Sequence, residues 1–333
     1  MISRKFTIWA CGLLFVFGSC AEDMVKPIEN DKDAPGTVQD VKTESLPGAV
    51  KFTYTLPSDP DLLYVLAKYT NKTGKVMEFR SSFYTNSVTV EGFGDTDTYK
   101  VELYTVDRSE NRSQPQIVEV VPLTPPILSC YESLSMVSDF GGMTFEMDNK
   151  FKSDLAIYVC TPDELGDMVL AETFYSAREE IVYSVRGYDA VPRRFGIFLQ
   201  DKYGNETDTL FTELTPIYER ELDKTKFREM YLQNDSRVDS YDGKMEYVWN
   251  GRISKDGDSG GVGLHTGTGT KDGPAVFTFD LGVLAKLSRF ALWAIQDEKH
   301  FYNDMSPRRY EVWGCATEPV SYTHLTLPTI CSV

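Results

Sequence analysis

The stretch YKVELYTVDRSENRS, Tyr99–Ser113, is a strand that runs into a polar turn rich in Asp, Asn and Ser. Other strands are legible on either side of it. Ala49–Leu56, Leu63–Tyr69, Ser87–Val90, Tyr99–Val106 and Gln116–Val121 are short, rich in β-branched and aromatic residues, and separated by turn signals. The turns are Pro57-Ser58-Asp59-Pro60, Asn71-Lys72-Thr73-Gly74 and Glu91-Gly92-Phe93-Gly94-Asp95. Short strands at regular spacing predict a β-sandwich.

The same pattern returns further along the chain. Phe195-Gly196-Ile197-Phe198-Leu199-Gln200-Asp201 aligns with Val101–Asp107, and the same shift pairs Asn111 with Asn205 and Ser113 with Thr207. Leu123-Thr124-Pro125 is answered by Leu214-Thr215-Pro216. A repeated hairpin followed by a repeated boundary predicts two related sandwiches in tandem, residues 37–122 and 123–216. The Tyr99–Ser113 stretch resembles the F–G hairpin of fibronectin type III domains. That resemblance makes Tyr99 the tyrosine-corner residue, its hydroxyl bonding back to nearby backbone. The second copy has Arg194 or Phe195 near that place, so the likeness is weaker there.

A third module is predicted over residues 217–320. Lys224–Gln233 carries Phe227, Met230 and Tyr231 at helical spacing and is the one helix the pattern suggests. After a glycine-dense loop, Lys255–Gly273, three strands are expected at Val276–Leu281, Leu287–Ile295 and Tyr310–Trp313. The middle one is apolar on both faces, as a strand buried between two layers is. The FDLG turn, the SRFALW strand and the PRRYEVWG strand resemble the discoidin-like (factor 5/8 type C, galactose-binding-like) family, which implies a jelly-roll β-sandwich that binds sugar. Only the first part of that domain is present, so partner strands for Leu287–Ile295 and Tyr310–Trp313 are missing.

A sugar site needs aromatic faces for ring C–H groups and polar side chains for hydroxyls, presented on loops. The loop candidates are Tyr241, Tyr247, His265, His300, Phe301, Tyr302 and Arg308; Trp249, Trp293 and Trp313 sit in strand patterns and are assigned to the core. Discoidin-like domains often hold a structural calcium, and Asn250, Asp256 and Asp258 offer the hard oxygen ligands it takes. The resemblance implies no other cofactor.

The first nineteen residues read as a secretion signal: Arg4 and Lys5, an apolar run Phe6–Phe17 too short to span a bilayer, then Phe17-Gly18-Ser19-Cys20. This resembles a bacterial lipobox and implies lipidation at Cys20, with stable anchoring by several acyl chains. Ala21-Glu22-Asp23 resembles a surface-export signal, and residues 20–36 read as a tether. Residues 321–333 resemble a recurrent spurious tail and are read as non-native. The whole order resembles multi-domain surface lipoproteins of Sus-type glycan-utilisation loci. It implies an outer-membrane, surface-exposed protein whose partners are glycans and importer proteins.

Composition agrees with a secreted β protein. There are 19 Tyr and 19 Phe, and the formal charge is −16. An excess of acid argues against nucleic acid as a partner. Cys130 and Cys160 fall in one module and suit either a disulfide or two buried thiols. Gly257-Asp258-Ser259-Gly260-Gly261 copies a serine-protease motif, yet no His precedes it, so it reads as a flexible loop. The function expected is non-catalytic glycan binding at the cell surface; the alternative is a structural module docked on an importer or another surface protein.

Overall fold

A computed structural model describes residues 32–238, 242–253, 263–266, 274–293, 296, 307 and 309–317. The first seven strands are β1 (Gln39–Leu46), β2 (Ala49–Thr55), β3 (Leu62–Thr70), β4 (Val76–Ser82), β5 (Ser87–Glu91), β6 (Tyr99–Asp107) and β7 (Gln116–Val120). They form two antiparallel sheets, ordered β1-β2-β5 and β4-β3-β6-β7. Every second residue points inward. Val50, Phe52 and Tyr54 of β2, Val88 and Val90 of β5, Val65, Ala67 and Tyr69 of β3, and Val101 and Leu103 of β6 meet in one core. Each buried Val, Leu or Phe among them contributes about 1.5–3 kcal/mol.

The five predicted strands are present. β1 and β4 were not predicted. Both are edge strands: β1 is mostly exposed, and β4 alternates half-buried with exposed residues. Neither carries the apolar run that marks a central strand. The Tyr99 hydroxyl donates to Asp95 Oδ1 at 2.7 Å. A carboxylate four residues upstream thus replaces the backbone acceptor expected of a tyrosine corner. Burial first, then the hydrogen bond to Asp95, pushes this phenol well above its ordinary range.

Helix α1 (Pro126–Ser133) follows and was not predicted. Its Pro sits at the first helical position, where a missing N–H costs nothing. Then come β8 (Ser135–Asp139), β9 (Gly142–Asp148), β10 (Leu155–Pro162), β11 (Met168–Ser176), β12 (Glu180–Arg186), β13 (Arg193–Asp201) and β14 (Leu210–Leu214), in sheets ordered β12-β9-β8 and β11-β10-β13-β14. Cys130 and Cys160 are free thiols.

The repeat is visible bond for bond. Asp107 Oδ1 accepts the Ser109 and Asn111 N–H groups, and Asn111 Nδ2 donates to Asp107 Oδ2 at 2.9 Å. Asp201 Oδ1 accepts the Tyr203 and Asn205 N–H groups, and Asn205 Nδ2 donates to Asp201 Oδ2 at 2.9 Å. Ser113 and Thr207 each accept the N–H of the strand residue eight positions back, Thr105 and Leu199. Gly48 and Gly141 both adopt φ near +60°, and their N–H groups donate to Leu123 O and Ile217 O. Only glycine takes that conformation without strain.

The described residues divide between two compact units, one drawn from residues 32–135, 146–182 and 195–211, the other from 136–145, 183–194 and those beyond 211. Within the first, the loop after β13 sits on the turn after β5. Asn205 Nδ2 donates to Gly92 O at 3.1 Å, and Tyr203 donates its hydroxyl to Glu91 Oε2. Gly92 has φ +85°, and a Cβ there would lie 2.8 Å from the Tyr203 ring. Glycine is therefore required both by backbone and by space.

Beyond residue 217 the described residues form less regular structure. A 3-10 turn at Lys224–Lys226 is capped by Asp223, whose carboxylate accepts the Thr225 N–H. Phe227 is extended, and Arg228–Met230 (β15) pairs antiparallel with Thr278–Asp280 (β16). The helix expected over Lys224–Gln233 is thus not formed; pairing with a strand fifty residues away overrides the local pattern. The Val276–Leu281 strand survives as β16. Residues 287–293 and 310–313 are not in strands. Leu292, Trp293, Tyr310 and Trp313 are 44%, 59%, 54% and 48% exposed, which corrects the buried middle strand and the core placement of two tryptophans. A strand exists only as part of a ladder, and among the described residues neither segment belongs to one.

Candidate functional site

Of the residues proposed to touch sugar, Tyr247 and His265 lie among those described; Tyr241, His300, Phe301, Tyr302 and Arg308 lie outside them. Tyr247 stands in a 3-10 turn, Met245–Val248, half-buried, with its N–H donating to Lys244 O at 3.2 Å. His265 is half-buried. The Tyr247 turn is anchored beside an aromatic cluster. Trp249 meets Phe227 edge-on at 5.7 Å and Phe279 at 5.2 Å, and Phe227 and Phe279 are 5.9 Å apart. Phe277 stacks on Phe279 at 6.5 Å. Such ring pairs add about 0.5–1.5 kcal/mol each beyond burial. Trp249 thus packs among these rings, half-buried, but in the turn that closes the 3-10 helix and not in the strand its pattern suggests.

Among the calcium candidates, Asp256 and Asp258 lie outside the described residues, as do Cys20 and the Gly257–Gly261 motif. Asn250 is described, and its Oδ1 accepts the Arg252 N–H at 2.8 Å, closing a turn on its own backbone. Among the described residues no three His, Cys, Asp or Glu side chains converge as a metal site would require.

An ionic hub in the second unit was not legible in sequence. Glu219, whose side chain is 13% exposed, accepts from Ser288 Oγ at 2.5 Å and Arg289 Nε at 3.0 Å, with Arg186 Nη1 at 3.8 Å. Arg186 also donates to Phe140 O at 2.8 Å and to Asp139 Oδ2 at 2.9 Å. Thr144 Oγ1 donates to the same Asp139 oxygen at 2.8 Å. Burial alone would raise the Asp139 carboxyl, but the Thr144 and Phe140 hydrogen bonds and the Arg186 guanidinium together hold it below the usual carboxylate range. Arg186 and Arg289 pair with Asp139 and Glu219, so the chemistry of the hub is cohesion. No sequence spacing announces it, because its members come from four separate segments.

Three domains of unknown function match in succession: one (DUF4959) over residues 35–122, one (DUF5126) over residues 123–225 and one (DUF5000) over residues 249–326. Part of the chain is 90% identical to SusE-like protein BT2857. The match covers 32% of this chain and 63% of that chain, with a TM-score of 0.31. The chain thus spans under two thirds of that relative's length. Weaker likenesses include a two-domain fibronectin type III segment of chicken tenascin (12% identity, 54% of this chain and 99% of that one, TM-score 0.26). The FN1–FN3 domains of chicken CNTN1 are another (10% identity, 61% and 71%, TM-score 0.25). A search of the curated proteins finds no match. No helix among the described residues is long and apolar enough to cross a membrane.

Proposed function

We propose that this chain is a surface lipoprotein of a Sus-type glycan-utilisation system that binds carbohydrate without altering it. The observation that carries the reading is the 90% identity with a SusE-like protein over part of the chain. The lipobox around Cys20 and the tether that follows fit the same reading, placing the protein on the outer membrane by acyl chains rather than by a spanning segment. Residues 37–122 and 123–216 act as spacers, and the discoidin-like module over residues 217–320 meets the glycan through Tyr241, Tyr247, His265, His300, Phe301, Tyr302 and Arg308. A structural calcium at Asn250, Asp256 and Asp258 belongs to the same proposal; if it is held there, EDTA lowers Tm and added Ca²⁺ restores it.

Affinity electrophoresis of the full chain on a panel of polysaccharides tests the binding, and loss of palmitate labelling in Cys20→Ser tests the anchor. Absence of retardation by every glycan would sink the binder reading. The second reading, a module docked on an importer or a neighbouring surface protein, gains from the exposed Leu284, Trp293, Tyr310 and Trp313. It predicts co-purification with an outer-membrane complex in place of glycan retardation.

A further inference from the structure

We propose that the outward face of the β11-β10-β13 sheet is a binding site for a neutral oligosaccharide. The proposal rests on the glycan-binding reading and adds an address outside the third module. Strand pairing sets Tyr175, Ala156 and Gln200 side by side in one cross-strand row, and Thr173, Tyr158 and Phe198 in the next. The alternate residues Leu155, Ile157, Val159, Ile197 and Leu199 are buried, at most 3% exposed, and satisfy the core. The outward rings are therefore not needed to hold the sheet together.

Ala156 is small between two long neighbours, and an open groove of about 450 Å³ follows. That volume falls within the roughly 300–1,000 Å³ of small-ligand sites. Tyr175 flanks the groove and is 75% exposed, which leaves a ring face for the C–H surface of a pyranose. The opposite wall is polar. Gln200 is oriented by the Tyr158 hydroxyl, 3.2 Å from its Oε1, and by Glu206 Oε1, 2.7 Å from its Nε2. Its second N–H and remaining lone pair are left to face a sugar hydroxyl. Tyr158 is itself fixed by stacking on Phe198, 4.7 Å apart and 12° from parallel. A platform and an oriented amide are thus preformed, which lowers the entropic cost of binding.

Charge selects the class of sugar. The groove is lined by Asp154 and Asp201 against one ammonium, Lys202, and that ammonium lies 5.0 Å over the Tyr203 ring. Acid in excess repels uronates and sulfated sugars and leaves neutral ones as the complementary ligand.

The test is native electrophoresis of the full chain through gels holding amylopectin, xyloglucan, galactomannan or, as the charged arm, polygalacturonate. At least one neutral polysaccharide is expected to retard the wild type and polygalacturonate is not. Tyr175→Ala and Ala156→Arg should each weaken that retention about tenfold, a change of about 1.4 kcal/mol, with unchanged circular dichroism and Tm. If Ala156→Arg misfolds, Tyr175→Ala, an exposed position, decides alone. Wild-type retention in these variants together with loss in Tyr247→Ala overturns this site while leaving glycan binding intact. Preference for polygalacturonate overturns the selection by charge. No retardation by any polysaccharide overturns both this site and the function it rests on.

Discussion

Asp139 and Cys130 show how a side chain's surroundings set its chemistry. Asp139 has its ionised form favoured in the folded state, so its folded pKa lies below the unfolded one. The stability it contributes is present above the ordinary value of 3.8 and is lost as pH falls through the depressed folded value. Asp139→Asn should cost about 1–3 kcal/mol at pH 7 and shrink the loss of stability in acid, read from urea melts at pH 7 and pH 3. Cys130 is buried in α1 with its thiol near Asn149 Oδ1, and burial pushes its pKa to about 11. It should resist a thiol reagent at pH 8 in the native state while exposed Cys315 reacts at once, as mass spectrometry of the labelled chain would show. The repeat was readable at this scale: Asp107 and Asp201, Asn111 and Asn205, and Ser113 and Thr207 were paired from sequence, and each pair makes the same bonds. The Asp139–Arg186–Glu219 hub was not, because nothing in a linear spacing says which charges will be desolvated together.

Central strands were readable and edges were not. β2, β3 and β6 bury one face against the core, so selection for that face leaves an alternating apolar pattern. β1 is mostly polar and exposed, with Val41 and Leu46 its half-buried apolar residues, too few for a pattern, and pairing with β2 makes it a strand. The failed helix at Lys224–Gln233 belongs here too: Arg228–Met230 has both a helical spacing and a β partner, and the partner wins. β15 and β16 are three residues each and lean on the ring cluster for support. Phe279→Ala should therefore loosen this whole segment. Tm falls, and the Trp249 contribution to tryptophan emission shifts to the red, whereas an unshifted spectrum would show that the cluster does not hold the ladder.

Across the larger unit, the joint between the first seven strands and the β13 loop decides how the repeats behave together. Gly92 receives the Tyr203 ring, Asn205 grips the Gly92 carbonyl, and Tyr203 reaches Glu91. Gly92→Gln places a side chain where the Tyr203 ring lies, in a backbone conformation that only glycine adopts freely. Calorimetry should show one coupled transition for these parts in the wild type and two separated ones in the variant. By itself the sequence determined that this is an all-β protein with a repeated sandwich pattern, because burial of one strand face imposes a period of two and turns demand particular residues. The tertiary structure alone decided which polar groups meet: the charged hub, the glycine joint and the outward groove beside Tyr175. Each is assembled from residues far apart in the chain, and the energy of such a contact depends on burial and distance, which no local pattern encodes.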